Sequence, residues 1–242
     1  MKQGFKQAAA TALIGLLMCS TAGAVKADGY CVREAGSGHV AAAESEGPFY
    51  DVSRDAWYCS AIEYCKSRLL LTGDPNGNFR PNDPVSRAEA ATVLKRLATD
   101  ETFYFETYFS DVADGAWYAQ DASSYGNLLG GNSRQDNASS PLGYTAYFYP
   151  NANVEREDFA VGIFNVFNLS DYGWKAHFPD IDQISWTDSY GYNYRQAACA
   201  MSNLGIMVGD GQGYFNPKQA LTRAELAQVL YNIDTNDSEL LP

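Results

Sequence analysis

The chain has 242 residues and carries 29 acidic side chains against 17 Lys and Arg, a formal net charge of −12. So acidic a chain lacks the basic field that phosphate backbones require, which excludes bulk electrostatic binding of nucleic acid, and it is no natural ligand for an anionic membrane surface. An acidic ligand would have to be held by local, well-placed cations.

Residues 1–27 read as a signal peptide. Lys2 and Lys6 give a basic start, Ala8 to Met18 an apolar core too short for a comfortable membrane span, and Val25-Lys26-Ala27 a small-x-small cleavage site, with Ala22-Gly23-Ala24 as a second choice. Cys19 invites a lipoprotein reading, but Leu17-Met18 puts no small residue beside it. Export is expected, and cleavage removes Lys2, Lys6 and Lys26 and no acid, moving the charge to −15. Residues 28–48 are a small, polar leader and residues 234–242 a short acidic tail. Between them, three related units occupy residues 49–100, 101–170 and 171–233, and no separate catalytic or cargo domain is expected.

In the first unit, Phe49-Tyr50-Asp51-Val52 precedes Trp57-Tyr58, and apolar residues at Trp57, Ala61, Ile62, Cys65, Leu69 and Leu70 predict a helix over Trp57 to Leu71. Gly73 then opens the turn Asp74-Pro75-Asn76-Gly77-Asn78, and Phe79-Arg80-Pro81 follows. Ser86-Arg87-Ala88-Glu89 is a capping box that starts a second helix, with Ala90, Val93, Leu94 and Leu97 facing inward.

The second unit repeats the pattern as Phe109-Ser110-Asp111-Val112, Trp117-Tyr118, Gly131, Phe148-Tyr149-Pro150 and Glu155-Arg156-Glu157-Asp158. Glu155 is a poorer cap, though Phe159, Ile163, Val166 and Phe167 still signal the helix. An insertion of roughly Asn132–Tyr147 separates its glycine from its F-x-P turn. The third unit reads Phe178-Pro179-Asp180-Ile181, Trp186, Gly209, Phe215-Asn216-Pro217 and Thr222-Arg223-Ala224-Glu225, with Leu226, Val229, Leu230 and Ile233 inward. Its insertion follows Trp186 and holds the aromatic run Tyr190 to Tyr194. Three copies of one supersecondary unit direct attention to what all three share.

Four cysteines follow the signal peptide: Cys31, Cys59, Cys65 and Cys199. An even number in an exported protein is consistent with two disulfides, with three pairings open. Cys59 and Cys65, six residues apart on one helix, would lie about 9 Å apart and too far to bridge, which favours longer links such as one through Cys31. There is no C-x-x-C pair and the histidines are only His39 and His177, so neither a metal site nor a cofactor is expected.

The ordered pattern F-x-D-V, W-Y, G, F-x-P and (S/T)-R-A-E resembles the S-layer homology domain over residues 49 to about 233. The resemblance implies a mostly α fold, in which three helix-loop-helix repeats form a pseudo-threefold prism around a central three-helix bundle. It also implies grooves between repeats that hold secondary cell-wall polysaccharide, often through a pyruvate-ketal sugar, with non-covalent attachment to a bacterial envelope.

The residues themselves allow that chemistry. Arg87, Arg156 and Arg223 sit at helix starts, where a carboxylate meets a guanidinium and unpaired backbone N–H groups. Trp57, Trp117 and Trp186 offer flat apolar faces for a sugar ring. Gly73, Gly131 and Gly209 allow close backbone approach, and Asp51, Asp111 and Asp180 can accept hydrogen bonds from hydroxyls. Each also has a structural alternative: core anchoring for the tryptophans, loop capping or pairing with the arginines for the aspartates, backbone conformation for the glycines, an inter-repeat ion pair for the arginines. The second unit, which departs most around Arg156, has the groove expected to have lost or changed its ligand.

Catalysis is not expected, because the recurrent acids are spread symmetrically and triad chemistry has little to draw on. Asp74 to Asn78 resembles part of a calcium loop, but its glycine is misplaced and no glutamate closes it; Asp210-Gly211-Gln212-Gly213 is poorer, and both read as turns. The alternative function is an adaptor or assembly subunit whose two insertions recruit a protein partner, with wall binding secondary.

Overall fold

The computed structural model describes residues 47–98, 107–170, 178–186 and 193–235. The signal peptide, Cys31, both histidines, the aromatic run up to Tyr192 and most of the acidic tail lie outside the described residues.

The described residues are mostly helical. They form α1 (Cys59–Ser67), α2 (Arg87–Leu97), α3 (Ala119–Tyr125), α4 (Arg156–Val166), α5 (Tyr194–Asn203) and α6 (Arg223–Thr235). One antiparallel hairpin, β1 (Ser133–Asp136) and β2 (Tyr144–Tyr147), pairs Ser133 with Tyr147 and Asp136 with Tyr144. The second-unit insertion is this hairpin.

The helices pack in cyclic order. The second helix of each unit lies against the first helix of the next: α2 on α3, α4 on α5, and α6 back on α1. A ring of backbone hydrogen bonds closes the circle, Val85 N to Leu221 O at 2.8 Å, Leu221 N to Val154 O at 2.9 Å and Val154 N to Val85 O at 2.9 Å. Every N–H in this buried ring has its carbonyl, which is what keeps such a backbone crossing from being costly.

The recurring phenylalanines explain themselves as packing. Phe79, Phe148 and Phe215 are fully buried, each against the first phenylalanine of its own unit (Phe49, Phe109, Phe178) at 5.3, 5.3 and 5.1 Å between ring centres. The residue after each buried phenylalanine takes a left-handed conformation: Arg80 at φ 59°, Tyr149 at 59°, Asn216 at 55°. That conformation costs a non-glycine residue on the order of 1 kcal/mol. The unit's aspartate offsets it. Asp51 accepts from Phe79 N and Arg80 N at 2.7 Å each, Asp111 from Phe148 N and Tyr149 N at 2.8 and 2.6 Å, and Asp180 from Phe215 N and Asn216 N at 2.9 and 2.7 Å.

The capping boxes form as the sequence predicts. Ser86 and Glu89 exchange side-chain and backbone bonds at the start of α2, as do Thr222 and Glu225 at α6, while Glu155 makes no side-chain cap. The first helix is shorter than the predicted Trp57–Leu71. It ends at Ser67 because Leu69 turns left-handed (φ 57°) and Leu70 N returns to Cys65 O at 2.9 Å. Trp57 and Leu69, whose apolar spacing placed them in the helix, lie beyond its two ends and are exposed; Cys59, Ala61, Ile62 and Cys65 form its buried face. Among the described residues no disulfide joins Cys59, Cys65 and Cys199, all of which are buried. The Cys65 thiol, pushed up to about 12 by burial, donates to Ala227 O.

Candidate ligand grooves at the unit junctions

Each arginine reaches out of its own unit. Its Nε donates to the carbonyl of the buried phenylalanine in the next unit: Arg87 to Phe148 O at 2.7 Å, Arg156 to Phe215 O at 2.9 Å, Arg223 to Phe79 O at 2.8 Å. The backbone N–H at the helix start is also spoken for, with Arg87 N on Ala152 O, Arg156 N on Gln219 O and Arg223 N on Asp83 O. The first amide of each helix is thus used between units, and the guanidinium is what remains for a ligand.

Around each arginine lies an open groove built from different units. The Arg223 groove takes Arg223 from the third unit, Glu89 and Thr72 from the first and Trp117 from the second. The Arg156 groove takes Arg156 from the second, Glu225 and Asp210 from the third and Trp57 from the first. Its volume is about 400 Å³, against about 270 Å³ at Arg87 and about 190 Å³ at Arg223. Trp57 and Trp117 are 63% and 66% exposed, so they are not core anchors; each stands edge-on to the tyrosine that follows it.

The Arg87 groove departs from this pattern. Arg87 is 3% exposed and has four protein acceptors: Phe148 O, Gly130 O at 2.7 Å, Asp158 Oδ2 at 3.1 Å and Asn132 Oδ1 at 2.8 Å. Burial raises the Asp158 carboxyl to about 6, with the Arg87 charge opposing that rise. Tyr194 fills the space beside this pair and its hydroxyl accepts from Gly131 N at 2.9 Å. In the reading of the third-unit insertion as a recruiting surface Tyr194 is exposed; it is instead buried, with its N–H donating to Trp186 O at 3.2 Å and its hydroxyl held inside the Arg87 groove. Trp186, 60% exposed, lies against the Arg195 guanidinium at 4.1 Å and does not line the groove.

The contrast in guanidinium saturation is the chief difference among the three sites. Arg156 bonds Phe215 O and Glu225 Oε1 (2.9 Å). Arg223 bonds Phe79 O and Thr72 O (2.7 Å), and its Nη1 meets Glu89 only at 3.6 Å, a loose pair. The Arg223 guanidinium therefore keeps donors for an incoming anion, and Arg87 keeps almost none.

The glycines serve the chain. A side chain at Gly73 would run into the Phe49 ring, and Gly131 (φ 79°) lies against the Asp158 carboxylate with Arg87 Nη1 2.7 Å from where a Cβ would stand. Gly209 (φ 87°) needs its left-handed backbone but does line the Arg156 groove. The aspartates are engaged in the loop bonds described above. Asp74 and Asp210 each hold their own turn: Asp74 accepts from Asn78 N and Asn76 N, Asp210 from the Asn216 side-chain amide and then from Tyr214 N and Gln212 N, and those bonds depress both carboxyls. Glu155, Glu157 and Asp158 form an acidic cluster, with Lys218 Nζ paired to Glu155 and Glu157.

A residue that sequence reasoning passed over completes the picture. Arg96 lines the Arg223 groove, and its Nη1 donates to Leu70 O at 2.6 Å. Its position recurs in the other units as Asn165 and Asn232, so aligning the second helices beyond their first turn was the available signal.

A cyclic set of helix pairs, with an arginine and an exposed tryptophan brought together from different units, defines a repeat-built ligand-binding domain. Residues 48–91 and 177–227 match the S-layer homology domain, and these two segments carry that family's repeat. The stretch between, with the hairpin and the Glu155 and Asp158 departures, lies outside the two matched segments. Over 203 residues the chain is 30% identical to an amylopullulanase of Thermoanaerobacterium thermosulfurigenes, a match covering 80% of this chain and 10% of that protein. It is 28% identical over 187 residues to S-layer protein EA1 of Bacillus anthracis (75% and 19%) and 29% identical over 175 residues to the surface-layer 125 kDa protein of Lysinibacillus sphaericus (70% and 13%). The chain thus spans between a tenth and a fifth of these relatives' length. The family and its surface-layer relatives place the protein at the cell wall or cell surface. Among the described residues no helix is long and apolar enough to cross a membrane.

Proposed function

We propose that the protein is a non-catalytic module that attaches non-covalently to an anionic, pyruvylated secondary cell-wall polysaccharide, with its three units arranged as a pseudo-threefold prism. The observation that carries this reading is the Arg223–Trp117 groove, where an unsaturated guanidinium and an exposed indole face the same opening. An indole face takes the apolar face of a sugar ring, and a guanidinium takes a carboxylate in two parallel hydrogen bonds. The Arg156–Trp57 groove repeats both features with a tighter internal partner, Glu225, and serves as the second site. In the Arg87 groove the protein's own acceptors hold the guanidinium, so that junction acts as a structural joint.

The test is co-sedimentation with purified sacculi before and after removal of their secondary polymer. Binding should require the polymer and fall at least tenfold in an Arg223→Ala variant. Equal binding to stripped sacculi overturns the reading. The adaptor alternative rests on the hairpin, whose exposed Leu142 and Arg134–Tyr144 contact line neither open groove; a deletion of residues 133–147 that spares wall binding but loses a protein partner would favour it.

A further inference from the structure

The three second helices carry one shared bond whose donor differs. Asn165 Nδ2 donates to Leu128 O at 2.8 Å, Asn232 Nδ2 to Ile206 O at 3.2 Å, and Arg96 Nη1 to Leu70 O at 2.6 Å. Each acceptor lies three residues before its unit's glycine, so the bond ties the second helix to the end of the first in every unit. An uncharged amide suffices for it twice. At Arg96 the same bond uses a single nitrogen of a guanidinium, and the remaining N–H groups and the full charge are left over.

That surplus faces a ligand groove. Arg96 lines the same opening as Arg223 and Trp117, and among the described residues no carboxylate pairs with it. Support of the α2 C-terminus does not account for the charge, because Lys95, paired with Asp121, already supplies a cation in the last turn. Against Glu89, the two arginines give this groove a local excess of one positive charge on a strongly acidic chain. In the Arg156 groove the corresponding position is Asn232, and Glu225 and Asp210 outweigh the single arginine.

We propose that Arg96 is a second anion contact, and that the Arg223 groove is built for a glycan unit carrying two acidic substituents, one on Arg223 and one on Arg96. This rests on the wall-glycan reading above and narrows it to a ligand class and a specificity-determining residue. The Arg156 groove, with Asn232, takes singly acidic units.

Two probes separate the possibilities: a pyruvate-ketal sugar glycoside with one carboxylate, and the same glycoside bearing a phosphate as well. Titrations by calorimetry compare the unaltered protein with Arg96→Asn, which keeps the Leu70 bond in the manner of the other two units, and with Arg96→Lys, which keeps the charge. Arg96→Asn should weaken the phosphorylated probe about tenfold to a hundredfold, the scale of one charge-assisted hydrogen bond, and leave the singly charged probe within about twofold. Arg96→Lys should recover part of the loss. An equal effect on both probes, or none on either, overturns the role of Arg96 while leaving the wall-glycan reading in place. Failure of the unaltered protein to bind either probe overturns both.

Discussion

Replacing Arg87, Arg156 and Arg223 by alanine, one at a time, separates the structural joint from the ligand sites. Arg87→Ala removes four hydrogen bonds and leaves Asp158 a buried carboxylate without its cation. Breaking a buried pair of this kind costs about 3–5 kcal/mol. For a domain of this size each kcal/mol moves the unfolding midpoint by about 2–4 °C, so the midpoint should fall by roughly 6–20 °C. The loss should shrink below pH 6, where Asp158 accepts a proton and no longer needs a partner. Arg223→Ala removes two bonds to carbonyls and a loose pair with a Glu89 that stays hydrated, and should cost about 1–2 kcal/mol. Arg156, with one firm ion pair, falls between. Thermal unfolding followed by circular dichroism gives the stability order, and sacculus binding well below each midpoint should give the reverse order, with Arg223→Ala most impaired and Arg87→Ala nearly intact. Equal destabilisation by Arg87→Ala and Arg223→Ala, or loss of binding in a folded Arg87→Ala protein, would refute the division of roles.

Further expectations follow from single residues. Leu69 holds at φ 57° the helix end that Gly205 holds at 66° in the third unit, and it is 64% exposed, so Leu69→Gly should stabilise the protein by about 0.5 kcal/mol in urea unfolding; a clear loss would contradict the strain argument. Asp180→Ala should cost about 2–3 kcal/mol and Asp51→Ala less, since both lose two bonds to backbone N–H but only Asp180 is buried; the reverse order in the same assay would count against the loop-capping account. Asp158 titrates near 6 in the folded protein against about 3.9 unfolded, so its contribution to stability is full below about pH 4 and is lost as pH rises through 6. Relative to Asp158→Asn, the unaltered protein should gain on the order of 2 kcal/mol between pH 7 and 4. A carboxyl midpoint at or below 4 by NMR would contradict the burial argument.

Local chemistry was legible in the sequence, and long-range pairing was not. Ser86 with Glu89 and Thr222 with Glu225 announced two helix starts because a capping box spans three residues. The arginines were identified by recurrence alone: their carbonyl partners lie 61, 59 and 144 residues away, and nothing near Arg223 points to Phe79. The aspartates likewise bond turns 28 to 38 residues downstream. Apolar spacing extended the first helix past its end, because Leu69 has a leucine's hydrophobicity in a position that wants a glycine's backbone. Tyr194 was misplaced because an insertion separates it in sequence from Trp186, beside which its backbone folds. Arg96 was not legible because past the first turn only the apolar positions of the second helices recur as a pattern, and its meaning appears only when three carbonyls and three donors are compared.

Acidic glycan should enter the Arg223 and Arg156 grooves and not the Arg87 junction. Trp117 and Trp57 line these two grooves and report on them directly through their indole N–H resonances, assigned by Trp→Phe replacement, while Trp186, which lines none of the three, is the internal control. Titration with oligosaccharide released from the secondary wall polymer should shift the Trp117 and Trp57 indole signals and leave that of Trp186, held against Arg195, in place. A shift at Trp186 with none at Trp117 would contradict the account.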